Sequence, residues 1–255
     1  MDLPPVLRSP VVALIGTKCY EELLLNLNFA NVDCLRLVVS KGLGIGLVAG
    51  GALLKLPQIA KIVQARSAKG LSLSSLLIET AAFCIMLAYN MRQNNPFSTY
   101  GESVFIFGQN LIIIALMYAL GSKLPRGLAT VAVCLAFFWV LLQPGFVSDA
   151  LLAVLQAATI PMFLGSKVPQ MVSNYQSGST GQLAAFTVFS GFLGAAARVL
   201  TTLQEVDDKI ILLSYILSTV FNGVIAAQMV YYWNASTKSK PKSKSKVKGG
   251  KKKAH

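Results

Sequence analysis

Two short stretches of the chain combine a lysine, a proline and a glutamine inside long apolar runs. They read Lys55-Leu56-Pro57-Gln58 and Lys167-Val168-Pro169-Gln170. A proline removes a backbone donor from a helix, and a lysine surrounded by apolar residues costs free energy unless it is paired or solvated. Because this unfavourable combination occurs twice, we expect it to form part of a ligand-binding site. Prolines that only kink two helices for packing would leave the same pattern.

The two stretches lie 112 residues apart, and the same offset relates other positions of the chain. It relates Ser67 to Ser179, Leu71 to Leu183 and Asn110 to Asn222. Several matches on one register are typical of an internal duplication. We therefore expect two copies of one helical unit.

The composition indicates a membrane protein. Of the 255 residues, 54% are hydrophobic and 13% are charged, which is too little polar surface to cover a soluble globule. The formal net charge of +13 owes much to nine lysines between Lys238 and Lys253. Because that tail holds no aromatic residue that could stack on bases, we expect no nucleic-acid partner.

Seven apolar stretches are long enough to cross a bilayer as helices. They lie at roughly 41–64, 71–91, 99–120, 126–143, 150–175, 182–203 and 210–233. The first three match the last three across the duplication, and the fourth has no counterpart. The sequence therefore predicts an all-α membrane protein with seven transmembrane helices, arranged as two parallel three-helix repeats joined by a linker helix.

The predicted domains follow from this arrangement. They are an N-terminal segment at 1–39, a first repeat at 40–120, a linker helix with its loops at 121–149, a second repeat at 150–235 and a disordered basic tail at 236–255. The N-terminal segment is interrupted by charges, so we expect it to lie on the surface or to pack loosely.

Charges in the short loops predict the orientation. Lysines and arginines collect in the loops on the side of the tail, whereas Asp149, Asp207 and Asp208 lie on the other side. Basic loops are typically cytoplasmic, so we predict a cytoplasmic C-terminus and a lumenal N-terminus. Cys19 and Cys34 would then face an oxidising compartment, where they could form a disulfide or remain two free thiols.

Three charged residues are expected at a similar depth within the membrane. Lys55, Lys167 and Glu79 all lie well inside predicted spans, and we expect them to share one polar cavity. Its excess positive charge would suit an anionic headgroup such as a phosphate. Alternatively, Glu79 only neutralises Lys55, and Lys167 extends its ammonium group to the membrane surface.

Amides and an arginine complete the candidate residues. Asn110 and Asn222 either bond to neighbouring helices or line a pathway. Gln58 and Gln170 can reach carbonyls that the prolines leave without a donor, and Arg198 is expected to be a snorkelling anchor near a membrane surface. The candidate ligand-binding residues are Lys55, Pro57, Gln58, Glu79, Asn110, Lys167, Pro169, Gln170 and Asn222.

Catalysis is not expected. The only histidine is His255, so Ser-His and Cys-His nucleophilic arrangements and multi-histidine metal sites are excluded. We expect neither a metal nor a cofactor, and we expect the protein not to be an enzyme.

The paired Pro-Gln motifs in a chain with seven expected spans resemble the PQ-loop family. The resemblance is closer to its mannose-P-dolichol utilization defect branch, through Leu54-Lys55-Leu56-Pro57-Gln58, Ala68-Lys69-Gly70-Leu71-Ser72, Thr180-Gly181-Gln182-Leu183, Asn222-Gly223 and Tyr232-Trp233-Asn234-Ala235. It implies a role in the use of dolichyl-phosphate mannose and dolichyl-phosphate glucose for N-glycan, O-mannose, C-mannose and GPI-anchor synthesis. The implied partners are membrane lipids, polyprenyl-phosphate sugars and glycosyltransferases of the endoplasmic reticulum.

Two alternatives remain open, a carrier of a small solute or sugar and an accessory subunit of a glycosyltransferase.

The chain ends in Lys252-Lys253-Ala254-His255, which has the pattern of a dilysine retrieval signal. We therefore expect a multi-pass protein of the endoplasmic reticulum membrane.

Overall fold

A computed structural model describes residues 4–68, 70–165, 167–180 and 185–233. The expected retrieval signal at Lys252 and Lys253 lies outside these residues. The described helices are α1 (Pro5–Tyr20), α2 (Val32–Leu54), α3 (Leu56–Ala65), α4 (Leu73–Arg92), α5 (Phe97–Leu120), α6 (Leu124–Leu142), α7 (Asp149–Gly165), α8 (Lys167–Ser177), α9 (Ala185–Glu205) and α10 (Lys209–Tyr231), with a π-helical segment at Glu21–Leu25.

The duplication is visible in the order of the helices. Helix α9 begins 112 residues after α4, and α10 begins 112 residues after α5. In front of each of these pairs stands a long helical rod, formed by α2 with α3 in the first repeat and by α7 with α8 in the second. Helix α6 has no counterpart and lies between the two repeats in the chain.

The first rod breaks at Lys55, where the backbone turns between α2 and the first turn of α3 that contains Pro57. Gln109 of α5 satisfies the groups around the break. Its Oε1 accepts from the backbone N–H of Lys55 at 2.9 Å, and its Nε2 donates to the carbonyl of Ala52 at 2.6 Å. The prediction that Gln58 has this role is therefore wrong, because an amide on the neighbouring helix reaches the carbonyls instead.

In the second rod, an amide of α10 bonds to α8, beyond the lysine that corresponds to Lys55. Gln228 donates to the carbonyl of Met171 at 2.9 Å and accepts from the side chain of Asn174 at 3.0 Å. Here too the described bonds come from a later helix of the repeat and not from the Gln170 side chain.

Short connections join α4 to α5, α5 to α6 and α9 to α10, and the helices of each pair pack together. Helix α4 packs against α5, α5 against α6, and α9 against α10. The two repeats meet along two seams. At the first, which we call the α9 seam, α9 packs against α2 and α5; at the second, α4 packs against α7.

Six helical segments of the described residues are long and apolar enough to cross a membrane, which supports a multi-pass membrane protein. The rods α2–α3 and α7–α8 each count as one segment. Helix α9, which covers most of the sixth predicted span, is not among the six, and it carries Arg198, Gln204 and Glu205. The predicted count of seven spans is therefore not confirmed.

The N-terminal segment is tied to the start of α2, so of the two expectations, a surface position or loose packing, loose packing is wrong. A disulfide joins Cys19 to Cys34, and a buried cluster around Tyr20 packs α1 against the start of α2. Helix α2 begins at Val32, well before the expected start at 41, because the side chain of Asn31 accepts a hydrogen bond from the backbone N–H of Cys34 and caps the helix there.

Candidate functional site

A central cavity of about 400 Å³ lies between the two repeats. Its walls come from α4 and α5 of the first repeat and from α7, α8 and α10 of the second. Most of the surface that lines it is apolar. The polar side chains that reach it are those of Asn90, Glu102, Ser103, Gln156, Thr159, Lys167, Ser214, Tyr215 and Ser218. An apolar cavity with a limited set of polar groups is typical of a ligand-binding site.

Lys167 lies at the first residue of α8, half-buried, and lines the central cavity. Its ammonium group makes no ion pair with any residue that the structure describes. A cation in a largely apolar cavity attracts an anionic partner, because the surroundings screen its charge poorly. The cavity therefore offers a binding position for a negatively charged group.

The corresponding lysine of the first repeat is neutralised. Lys55 Nζ lies 2.7 Å from Glu79 Oε1, 2.8 Å from Glu79 Oε2 and 2.6 Å from Asn110 Oδ1. Asn110 is fully buried, so this cluster is held from two sides by α4 and α5. This cluster contains the ion pair between Lys55 and Glu79, which the sequence analysis gave as the alternative to a shared cavity.

The duplication explains why only one lysine is paired in this way. The residue 112 positions after Glu79 is Gly191, so α9 brings no carboxylate to the equivalent place. A side chain there would also meet the counterpart of Asn110, because a Cβ on Gly191 would lie 3.5 Å from Asn222 Oδ1. A comparison of Glu79 with the residue 112 positions later would have revealed from the sequence that the second repeat lacks this carboxylate.

The expectation that Lys55, Lys167 and Glu79 share one cavity is wrong. Lys55 and Glu79 line a separate small cavity of about 230 Å³ together with Gln58 and Ser75. Lys167 lines the central cavity instead, where none of the lining residues is Lys55 or Glu79.

The other predicted residues are distributed around these cavities. Pro57 and Pro169 are exposed, and Gln170 is half-buried and lines none of the cavities described here. Asn222 donates to the carbonyl of Ser218 in its own helix at 2.8 Å. The structure therefore does not bring these four residues into the central cavity, although Ser218 does line it.

Gln156 of α7 is a cavity residue that sequence reasoning missed. It is 3% exposed, and its Oε1 has no hydrogen-bond partner among the described residues. A buried acceptor without a donor is costly, so a donor group of a ligand would stabilise it. A lone amide within the apolar run of the fifth predicted span was the available signal, the same one that singled out Asn110.

Arg198 is buried, contrary to the expectation of a surface anchor. It is 3% exposed, its Nε donates to Glu102 Oε1 at 3.0 Å, and its Nη1 donates to the carbonyl of Ser98 at 2.7 Å. Glu102 in turn lines the central cavity. Arg198 was predicted to snorkel because it lies toward the end of the sixth predicted span, and only the packing of α9 against α5 decides otherwise.

A second buried acid extends this cluster along the α9 seam. Glu205 accepts from the hydroxyl of Ser40 at 2.8 Å, lies 3.1 Å from Lys41 Nζ and also accepts from the hydroxyl of Ser98. We call Arg198, Glu102, Glu205, Lys41 and Ser98 the seam cluster. It joins α2, α5 and α9 with charges of both signs, so that this seam is closed by polar contacts.

Comparison with known proteins agrees with the duplicated architecture. A sequence profile described as the PQ loop repeat matches the chain twice, at residues 39–99 and 151–211. Human "Solute carrier family 66 member 3" is 28% identical over 190 residues, which cover 74% of this chain and 91% of that protein. Among solved structures there is no significant match. The two matches stand on the 112-residue offset seen in the helices, so the chain carries two PQ-loop repeats.

Proposed function

We propose that this protein binds a polyprenyl-phosphate sugar, dolichyl-phosphate mannose or dolichyl-phosphate glucose, and presents or translocates it for N-glycan, O-mannose, C-mannose and GPI-anchor synthesis. The observation that carries the proposal is Lys167, a cation without an ionic partner among the described residues in a largely apolar cavity. The phosphate diester supplies the missing negative charge. The resemblance to the mannose-P-dolichol utilization defect branch, through stretches such as Ala68-Lys69-Gly70-Leu71-Ser72 and Tyr232-Trp233-Asn234-Ala235, supports the choice of the lipid.

The cavity offers separate groups to the two polar parts of this ligand. Lys167 bonds to the phosphate, for which a charge-assisted hydrogen bond is the strong interaction available. Gln156, whose buried Oε1 lacks a donor, accepts from a sugar hydroxyl. The hydroxyl groups of Ser214, Tyr215 and Ser218 line the same cavity and supply further donors and acceptors.

The proposed role is binding and carriage without a catalytic step. The bound lipid would be handed to glycosyltransferases within the membrane, where both partners have access to it.

We further propose that α9 also crosses the membrane, which brings the number of spans to seven, because α9 stands on the register of α4. The two repeats would then be parallel, on either side of α6. In this arrangement the N-terminus is lumenal and the C-terminus cytoplasmic.

A carrier of a small solute or sugar is the second candidate. The relative described as a solute carrier supports it, and so does a cavity of about 400 Å³, which is large enough for a small molecule. The two candidates differ in what must be bound. A small-solute carrier does not need the polyprenyl chain, whereas the first proposal does.

Ligand-induced stabilisation of the purified protein separates these candidates. We expect dolichyl-phosphate mannose at 100 times its Kd to stabilise the folded state by about 2.7 kcal/mol, because only a ligand of the folded state shifts the equilibrium. Free mannose should give no shift, and uncharged dolichol, which lacks the phosphate and the sugar, should give a smaller shift than the complete lipid. Stabilisation by free mannose alone would contradict the proposal and favour the solute carrier.

The expected location depends on the tail. We propose that Lys252 and Lys253 retain the protein in the endoplasmic reticulum, as a dilysine address read by a receptor. Changing both to serine should move a tagged protein to later compartments without altering its thermal stability. Microscopy of the tagged variant tests this, and Lys242→Ser with Lys244→Ser is the matched control in the same tail. An unchanged location of the Lys252, Lys253 variant would refute the signal.

A further inference from the structure

The two seams between the repeats differ in chemistry. The α9 seam is closed by the seam cluster, in which the Glu205 side chain is 4% exposed and Arg198 is 3% exposed. At the other seam, α4 and α7 leave a cleft of about 440 Å³. We call this space the α4–α7 cleft. It is lined by Ser75, Ile78, Glu79, Ala82, Met162 and Phe163.

The α4–α7 cleft faces outward with apolar side chains. Ile78 is 57% exposed and Met162 is 44% exposed, on helices that are long and apolar enough to span a membrane. Exposed apolar side chains on such helices are in contact with lipid chains. The cleft therefore opens toward the hydrocarbon region of the bilayer.

The cleft adjoins the central cavity through one side chain. Phe163 lines both, and its ring lies 5.8 Å from the ring of Phe83, which lines the central cavity. The two rings meet at a tilt of 58°, with Phe163 at the boundary between the cleft and the cavity that Lys167 lines and with Phe83 on the cavity side. A rotation of these two side chains would join the two spaces, and aromatic rings can be displaced without breaking a hydrogen bond.

The size of the central cavity requires such an opening if the ligand is a lipid. A volume of about 400 Å³ suits a phosphorylated sugar but leaves no room for a long polyprenyl chain. The chain must therefore leave the protein sideways while the headgroup remains beside Lys167. Crossing the α9 seam would break buried ion pairs, whereas the α4–α7 cleft presents apolar contacts throughout most of its lining.

We propose that the α4–α7 cleft is the binding site and lateral passage for the polyprenyl chain, with Phe83 and Phe163 as the apolar gate between chain and headgroup. This inference rests on the proposed function. It assigns the two parts of one ligand to two adjoining spaces, the phosphate and sugar to the central cavity and the first isoprene units to the cleft.

Filling the cleft tests the inference. Ile78→Trp and Met162→Trp, each in the full chain in nanodiscs, place a large ring where the isoprene units would lie. We expect each variant to bind dolichyl-phosphate mannose about tenfold or more weakly, while its affinity for water-soluble mannose 1-phosphate stays within about twofold. The matched control is Ile112→Trp on α5, because Ile112 is 50% exposed and lines none of the cavities described here.

The outcomes separate the inference from the function on which it rests. Unchanged binding of dolichyl-phosphate mannose in both cleft variants would overturn the lateral passage while leaving the headgroup site intact. Equal loss of both ligands would also overturn it, since it would indicate damage to the central cavity. If neither ligand binds to the wild-type protein, the proposed function fails and the inference fails with it.

Discussion

Replacing Lys167 with methionine weakens the binding of dolichyl-phosphate mannose by about 10- to 100-fold, because one charge-assisted contact contributes about 1.5–3 kcal/mol. Methionine keeps the length and the apolar stem of the side chain. Since Lys167 has no ionic partner among the described residues, its removal leaves no charge unpaired in the protein. Thermal stability without ligand should therefore remain close to that of the wild type.

The duplication supplies a matched control at the equivalent position. Lys55→Met removes the partner of Glu79 and of Asn110 Oδ1, so we expect it to lower stability, by less than the 3–5 kcal/mol typical of a fully buried pair because the Glu79 side chain is 35% exposed. Binding assays and thermal unfolding of both variants provide the test. Normal ligand binding by Lys167→Met at a normal protein level would refute the anionic site.

Replacing Arg198 with methionine strongly destabilises the protein. The change leaves Glu102 without its ionic partner in the described part of the chain and removes the donor to the carbonyl of Ser98. Breaking a buried ion pair from one side costs about 3–5 kcal/mol. For a chain of this size we expect the midpoint of thermal unfolding to fall by about 10 °C.

Two further variants show whether the lost pair is the cause. Arg126→Met changes an exposed arginine at the start of α6 and should alter stability by no more than about 0.5 kcal/mol. The double variant Arg198→Met with Glu102→Met leaves neither charge of the pair and should be more stable than Arg198→Met alone. A double variant that is less stable than the single one would argue against the ion pair as the stabilising contact.

The membrane class, the helical elements and the duplication follow from the sequence alone. Apolar runs of the length of a bilayer have few structural alternatives, because every backbone group must be hydrogen-bonded within the segment. The offset of 112 between Lys55 and Lys167 also places α4 and α9, and α5 and α10, on one register. These properties depend on local composition and on internal comparison, which a single chain contains.

The partners of the charged residues were decided by the tertiary structure. Arg198 and Glu102 are 96 positions apart, and nothing local indicates which face of α9 turns toward α5. Likewise, the break at Lys55 is hydrogen-bonded by Gln109 of α5 and not by Gln58, the amide beside the proline.

The separation of the two lysines has the same physical origin. Depth along a helix can be counted from the sequence, and it placed Lys55 and Lys167 at similar levels. Rotation about the helix axis and the neighbouring helix cannot be counted in this way, and they direct Lys55 to Glu79 and Lys167 to the central cavity. The sequence therefore predicts a depth for each lysine, whereas the choice between an internal ion pair and an open binding site came from packing between helices.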